Sequence, residues 1–394
     1  MSRQLLLLLL VLVLVGAMAA PRPPAAVAAG PRWEVHQPIV HGNLALFPVT
    51  ADAQHETSGY LTLEEGLRSG EVEVTELGAA MIRHRPGTSR PDRAQVNTLV
   101  LINNSKRPLI LLAGEIVTGG KQDRVISKDR IIPPGGDPLP LNVFCVEPGR
   151  WHGASAAFTG KSFMAAPNVR EKASVAKNQQ EVWNATAETR TGVAETVTVT
   201  GAAGGGGGSA RAAHRELEPS SSYAQMEASP EIKRRLDSAN DDLQQRYEQS
   251  LKGALRGKNV VGVVVAINGD VVWADLFADG DLFQRYWPKL LRSYIVEAMS
   301  GERAKRPTPS VAKAERFLSE QEGKQVIEVE PGEYRLLQVD TSRYTIFQLS
   351  SLLEKGEPML HFNKLRKASW KTGQRRPGPI EPLRVEERLS QRRD

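Results

Sequence analysis

The chain has 394 residues, 51 Lys+Arg against 45 Asp+Glu for a formal charge of +6, 40% apolar residues and 24% charged. This is ordinary globular composition with length for about two domain-sized cores, which excludes wholesale disorder, collagen and coiled-coil arrays, and so mild a charge does not by itself call for a nucleic-acid partner. A single cysteine, Cys145, excludes an internal disulfide and a multi-cysteine zinc site.

Met1 to Gln4 carry one Arg, Leu5 to Val15 form an eleven-residue apolar run, and Ala17-Met18-Ala19 supplies small residues at signal-peptidase spacing. Residues 1–19 therefore read as a secretory signal peptide, too short for a transmembrane anchor and followed at once by prolines. The mature chain is expected outside the cytoplasm, secreted or periplasmic, with no membrane anchor after cleavage. Residues 20–32 read as an Ala/Pro linker.

In residues 33–199, Thr62 stands three residues before Glu65 and Gly70 follows Leu67, the capping box and C-terminal glycine of a short helix. Val72 to Leu77 alternates as a strand. Val96–Ile102, Leu109–Ala113 and Leu139–Val146 are β-rich apolar runs bounded by turn residues. A helix is predicted from Gln179 to Thr189. Residues 200–222 contain the five glycines Gly204 to Gly208 and only Leu217 as a large apolar side chain, so they read as a flexible insert.

Residues 223–340 open with Leu243, Tyr247 and Leu251 on one helical face. Asn259–Ile267 and Val271–Phe277 are joined by Asn268-Gly269-Asp270, a type I′ hairpin signal. A helix from about Asp281 carries a wide apolar face, with Pro288 expected to kink or restart it. A further helix over Val311–Gln321 precedes candidate strands Val326–Glu330 and Tyr334–Val339. Residues 341–370 read as a C-terminal extension. Residues 371–394, with seven basic and four acidic residues, read as a basic disordered tail. Strands and helices that do not alternate, with hairpin connections, give an α+β class: mainly antiparallel or mixed sheet in the first half, hairpin plus packed helices in the second.

Five blocks in order, YLTLEEGLRSGEVEVTE from Tyr60, LLAGEIVTGGKQDR from Leu111, NVFCVEPGRW from Asn142, VVGVVVAINGDVVWADLF from Val260 and LFQRYWPKLLRSY from Leu282, resemble the ARG and rhodanese-phosphatase-superfamily-associated protein domain. The similarity spans roughly Trp33 to Gln338. The family name records an association with ADP-ribosylglycohydrolases and phosphatase-like proteins, so the resemblance implies a role near ADP-ribose or nucleotide metabolism rather than one reaction.

The run Leu109 to Arg124 is the most informative chemically. An apolar strand ends in Gly114-Glu115, and Lys121, Gln122 and Arg124 lie beyond Gly119-Gly120. A carboxyl leaving an apolar strand suits a general acid or base, and the cations suit a phosphate or carboxylate. The competing account is an ion pair from Glu115 to Lys121 or Arg124 that fixes the turn. The spacing does not match a P-loop, because Gly114 stands one residue too far from Gly120-Lys121 and Gln122 replaces the hydroxyl residue. Cys145, Glu147, Arg150, Trp151 and His152 form a second run, in which Cys145 reads as a core thiol and Trp151 with Arg150 as a stacking pair or a sheet-edge cover. His36 and His41 lie close but at no useful metal spacing. Asp275, Lys289 and Arg292 read as a solvated rim. No dinucleotide fingerprint or nucleophile elbow occurs, and no cofactor is implied. The expected site is thus a sheet-edge pocket of Glu115, Lys121, Gln122, Arg124, Glu147, Arg150 and Trp151 for a small anionic, nucleotide-like or ADP-ribose-like ligand, with Glu115 the acid or base if a reaction occurs. The alternative is a non-catalytic cell-envelope interaction or scaffold module, its protein partner undefined.

Overall fold

A computed structural model of the chain describes residues 32–52, 55–76, 98–120, 122–147, 158–203, 222–301 and 307–367. The expected signal peptide and basic tail lie outside these residues, as do residues 204–221 of the expected glycine-rich insert, whereas residues 200–203, expected to be flexible, continue the helix that begins at Gln179. The chain begins with strands β1 (Trp33–Val35), β2 (Ile39–His41), β3 (Leu44–Ala51) and β4 (Leu61–Thr62), then helix α1 (Leu63–Ser69) and β5 (Val72–Glu76). Next come β6 (Thr98–Asn103), β7 (Leu109–Leu111), β8 (Glu115–Gly119), β9 (Arg124–Ile126), β10 (Arg130–Ile132), β11 (Leu139–Cys145) and β12 (Phe158–Met164). Helix α2 (Pro167–Glu171), a π-helical turn (Lys172–Ala176), α3 (Gln179–Ala203), α4 (Tyr223–Ala228) and α5 (Pro230–Lys252) follow. The second half adds β13 (Val260–Ile267), β14 (Asp270–Phe277), α6 (Gly280–Ser300), α7 (Val311–Ser319), β15 (Lys324–Glu330), β16 (Tyr334–Asp340), β17 (Tyr344–Ser351) and β18 (Met359–Arg366). This is an α+β fold.

Local chemistry sets the element boundaries. The Thr62 hydroxyl accepts from Glu65 N, the Glu65 carboxylate accepts from Thr62 N, and Gly70 closes α1 at φ 74°. Asn268 and Gly269 both take positive φ, 53° and 80°, and bring Ile267 opposite Asp270, the two-residue I′ geometry whose twist matches the flanking strands. Alternate residues of β13 then feed two cores. Val263, Val265 and Ile267 join the large cluster holding the α6 aromatics, while Val264 and Ala266 join the cluster containing Ala314, Phe317 and Leu318 of α7.

Helix α6 continues through Pro288 as one helix, where a kink or restart was expected. Proline deprives the Gln284 carbonyl of its intrahelical donor, and both Gln284 and Pro288 lie on the exposed side of the helix, where the break costs least.

A nine-stranded sheet runs β1-β3-β13-β14-β18-β17-β16-β15, with β2 also paired to β3. A six-stranded sheet runs β12-β8-β9-β11-β6-β5, and a three-stranded one β10-β7-β4 contains the parallel pair β4–β7. Because β3 pairs with β13, the two halves of the sequence share one sheet. The segment expected only as an extension supplies β17 and β18, which lie inside that sheet rather than at its edge.

Candidate functional site

The turn between β7 and β8 sets the position of Glu115. Gly114 has φ 94°, and a Cβ built on it would stand 2.3 Å from Arg170 Cγ, so both the backbone and the neighbouring side chain require glycine there. Glu115 N donates to Leu112 O at 3.2 Å, and Leu112 N donates back to Glu115 Oε2 at 2.8 Å. The carboxylate is fully buried, and its Oε1 accepts from Lys289 Nζ of α6 at 2.5 Å. Lys289 Nζ also lies 4.4 Å over the Tyr286 ring. The ionic partner of Glu115 is therefore a cation 174 residues away in sequence, on a helix of the other half.

Asp275 and Lys289 do not form the solvated rim expected of them. Asp275 is fully buried and Lys289 nearly so, because each meets opposite charges brought in from distant segments. Arg292 is partly covered, pairing with Glu227 and with Asp237 at 2.9 Å.

Asp275 centres the neighbouring part of the cluster. Its carboxylate accepts both terminal nitrogens of Arg170 at 2.9 Å each, Trp273 Nε1 at 2.9 Å, Asn363 Nδ2 at 2.8 Å and the Tyr294 hydroxyl. His361 Nε2 lies 3.2 Å from Asp275 Oδ1, and its Nδ1 lies 2.5 Å from Asp129 Oδ2. The other Asp129 oxygen accepts Ala113 N at 2.7 Å. Two carboxylates on one imidazole make both ring nitrogens donors, so His361 is an imidazolium. Burial alone would discharge it, but Asp129 and Asp275 outweigh burial and raise its pKa to about 9. Burial likewise pushes Asp275 towards protonation, and Arg170 with His361 reverse this and hold it well below the usual carboxylate range. Tyr294 is held neutral by burial and by the Asp275 charge. Three acids (Glu115, Asp129, Asp275) are thus balanced by three cations (Arg170, Lys289, His361) out of contact with solvent. Such an arrangement can fix β14, β18, α2, α6 and the Leu112–Glu115 turn together.

Gln122, Arg124 and Glu147 come together elsewhere. Gln122 Nε2 donates to Glu147 O at 3.0 Å, and Asp123 N donates to Glu147 Oε2 at 3.3 Å. Arg124 Nη2 stands 4.0 Å from Glu76 Oε1, and Ser222 Oγ is 3.5 Å from Asp123 Oδ2. All three residues are buried, and Gln122 Oε1 has no hydrogen-bond partner among the described residues. Lys121, Arg150 and Trp151 lie outside the described residues. Cys145 is fully buried beneath this cluster, with burial pushing its thiol pKa up, in keeping with a core thiol rather than a nucleophile. The Gln179 amide brackets the Cys145 backbone, at 3.0 Å to its N and 2.8 Å to its O. The expected single constellation is therefore two: Glu115 in one, Gln122, Arg124 and Glu147 in the other.

His36 bonds Thr50 and His41 bonds Asp242. Among the described residues no group of three or more His, Cys, Asp or Glu side chains is arranged to hold a metal. The residues that sequence reasoning passed over are Asp129, Arg170, Tyr294, His361 and Asn363. The available signal was the alternation Leu360, His361, Phe362, Asn363, whose polar face reads as solvent-facing until its partners are known.

The chain matches the model of the ARG and Rhodanese-Phosphatase-superfamily-associated Protein domain over residues 32–362, and it belongs to that family. No curated protein and no solved structure matches it.

Proposed function

We propose that this chain is an exported, non-catalytic module that binds protein through the open edge of its nine-stranded sheet. The observation carrying this reading is β15. It is the last strand of the sheet, every one of its seven residues is exposed, and Val326, Ile327 and Val329 are 53%, 56% and 48% accessible. An edge strand with unpaired backbone groups and apolar side chains on both faces is a ready template for strand addition, which stable monomers blunt. The closure of Glu115 supports a non-catalytic role, since the acid best placed for chemistry is committed to Lys289. Hydrogen exchange in the dilute mature chain tests the reading. Alternate amides of 324–330, those not bonded to β16, exchange quickly if the edge is open, whereas uniform protection of the strand contradicts it. Export is tested by the N-terminus of the mature chain, expected at Ala20; retention of Met1 in secreted material contradicts cleavage after Ala19.

A second reading rests on Gln122 Oε1, a buried acceptor without a partner among the described residues, beside Arg124. Here a small anionic, nucleotide-like or ADP-ribose-like ligand is held by Gln122, Arg124 and Glu147. A bound ligand stabilises by mass action, about 2.7 kcal/mol at a hundredfold excess over Kd. Thermal-shift titration with ADP-ribose, nucleotides and inorganic phosphate therefore gives a saturable rise that Arg124→Gln abolishes. Flat curves at millimolar ligand contradict it.

A further inference from the structure

We infer that the occupant of the β15 edge is β15 of a second copy, paired antiparallel about a twofold axis at Ile327. This deepens the edge-binding reading above and rests on it. The strand reads Lys324-Gln-Val-Ile-Glu-Val-Glu330. Laid antiparallel on itself with Ile327 opposite Ile327, it sets Lys324 of each copy opposite Glu330 of the other. Val326 then faces Glu328 and Gln325 faces Val329.

Three observations favour this register. Directly opposed residues of an antiparallel pair lie on the same face, so the two Lys–Glu contacts form at the two ends of the face that carries Val326 and Glu328, while Ile327 meets Ile327 on the other face, flanked by the Gln325–Val329 pairs. Neither Lys324 nor Glu330 has an ionic partner among the described residues, although Glu328 between them is engaged by Lys128 and by the Tyr334 hydroxyl at 3.2 Å. The contact is also isologous, so pairing closes at two copies and does not run on into a filament. A shift of two residues one way sets Lys324 against Glu328, which Lys128 already engages, and leaves Glu330 with no opposite residue in the strand; a shift the other way leaves Lys324 with none. The register about Ile327 alone sets both Lys324 and Glu330 against an opposite charge.

A seven-residue strand pair is a small interface, below the ~1,200 Å² of stable complexes, so the dimer should be reversible and concentration-dependent. Light scattering and sedimentation across a concentration series on the mature chain read the monomer–dimer equilibrium directly. Lys324→Glu sets two carboxylates against each other at both ends of the strand pair and should weaken dimerisation by at least about tenfold, as should Glu330→Lys, since like charges directly opposite are destabilising. The double exchange Lys324→Glu with Glu330→Lys restores the opposite-sign contacts and should restore the dimer. Ile327→Asp, which puts two carboxylates on the axis, should give monomer at all concentrations. Each variant is compared at an unchanged melting temperature, expected because these side chains are exposed. A wild-type chain that stays monomeric, or a dimer indifferent to both single charge reversals, overturns the inference. Hydrogen exchange separates the two levels of failure. A monomer whose β15 edge exchanges freely leaves the edge-binding reading standing with a different partner, and a monomer whose edge is protected overturns both.

Discussion

His361 is held between Asp129 and Asp275, and its charge is a condition of the fold. With a folded pKa of about 9 against 6.5 for the free side chain, it contributes stability that is fully present below pH 6.5 and is lost as pH rises through 9. Lys364 acts in the opposite sense. Burial lowers its pKa to about 8, so stability is regained as it discharges between pH 8 and its ordinary value of 10.5. From these two groups thermal stability should accordingly fall between pH 6.5 and 8, change little between 8 and 9, and recover above 9. The difference between wild type and His361→Gln should shrink steadily up to pH 9, and a pH-independent difference would contradict the assignment. Gly114 makes a second test. Gly114→Ala meets both the positive φ and the Arg170 side chain, and should cost about 2–4 kcal/mol in chemical unfolding. A loss within error would mean that the turn relaxes freely. Part of this is legible in the sequence: alternation places Cys145 in the core, and the apolar strand Leu109–Ala113 ends at Gly114-Glu115. Lys289 and Asp275 were assigned to solvent because a lone charge on an apolar helix or strand gives no sign that its counter-charge arrives from a segment far away in sequence.

Some helices and hairpins of this chain declare themselves through local chemistry, whereas α2, the π-helical turn and α4 go unpredicted and α3 runs past the predicted Thr189 to Ala203. Thr62 with Glu65 and Asn268-Gly269 carry their geometry in adjacent residues. Asp279 does more than cap a helix. It accepts Leu282 N at 2.8 Å at the start of α6, and also Thr57 N at 2.9 Å and the Thr57 hydroxyl, tying the first half of the chain to that helix end. Asp279→Ala should therefore cost more than the ~1 kcal/mol of an ordinary N-cap, about 2–3 kcal/mol by denaturant titration, and a value at or below 1 would show the Thr57 bonds to be idle. Strand β18 was not legible because one of its buried faces carries His361 and Asn363, with Lys364 buried beside them, whereas β17 buries the ordinary apolar run Tyr344, Ile346, Phe347 and Leu349. His361 and Asn363 serve Asp275, and Lys364 donates from β18 to the Phe317 and Glu320 carbonyls at the C-terminal end of α7. A hydrophobic-alternation rule scores such residues as exposed. At β15 the same rule meets the reverse case, apolar residues that belong to a strand and yet face water on both sides.

At the scale of the molecule, the sheet pairing β3–β13 and the buried ion cluster both join residues before the glycine-rich insert to residues after it. The composition of the insert divides the sequence in two, but the contacts do not divide there. Cleavage at a protease site introduced among Gly204–Gly208 should leave the two fragments co-migrating on size exclusion with near-native circular dichroism. The first fragment expressed alone should lack a cooperative melt, and an independently folding fragment would contradict the shared sheet. No helix among the described residues is long and apolar enough to cross a membrane. The family assignment rests on blocks legible in the sequence, whereas the division of the expected site into a sealed ion cluster and a separate Gln122–Arg124–Glu147 cluster required long-range geometry.

The central claim is that Glu115 serves architecture, with its charge spent on Lys289. A double-mutant cycle measures this directly by equilibrium unfolding of wild type, Glu115→Gln, Lys289→Met and the pair. Removing one partner strands a buried charge, so each single change should cost about 3–5 kcal/mol, and the double variant should recover most of that loss. Single variants with undiminished stability and an additive double would contradict the account, because they would mean that the Glu115 carboxylate is not committed to the cluster that encloses it.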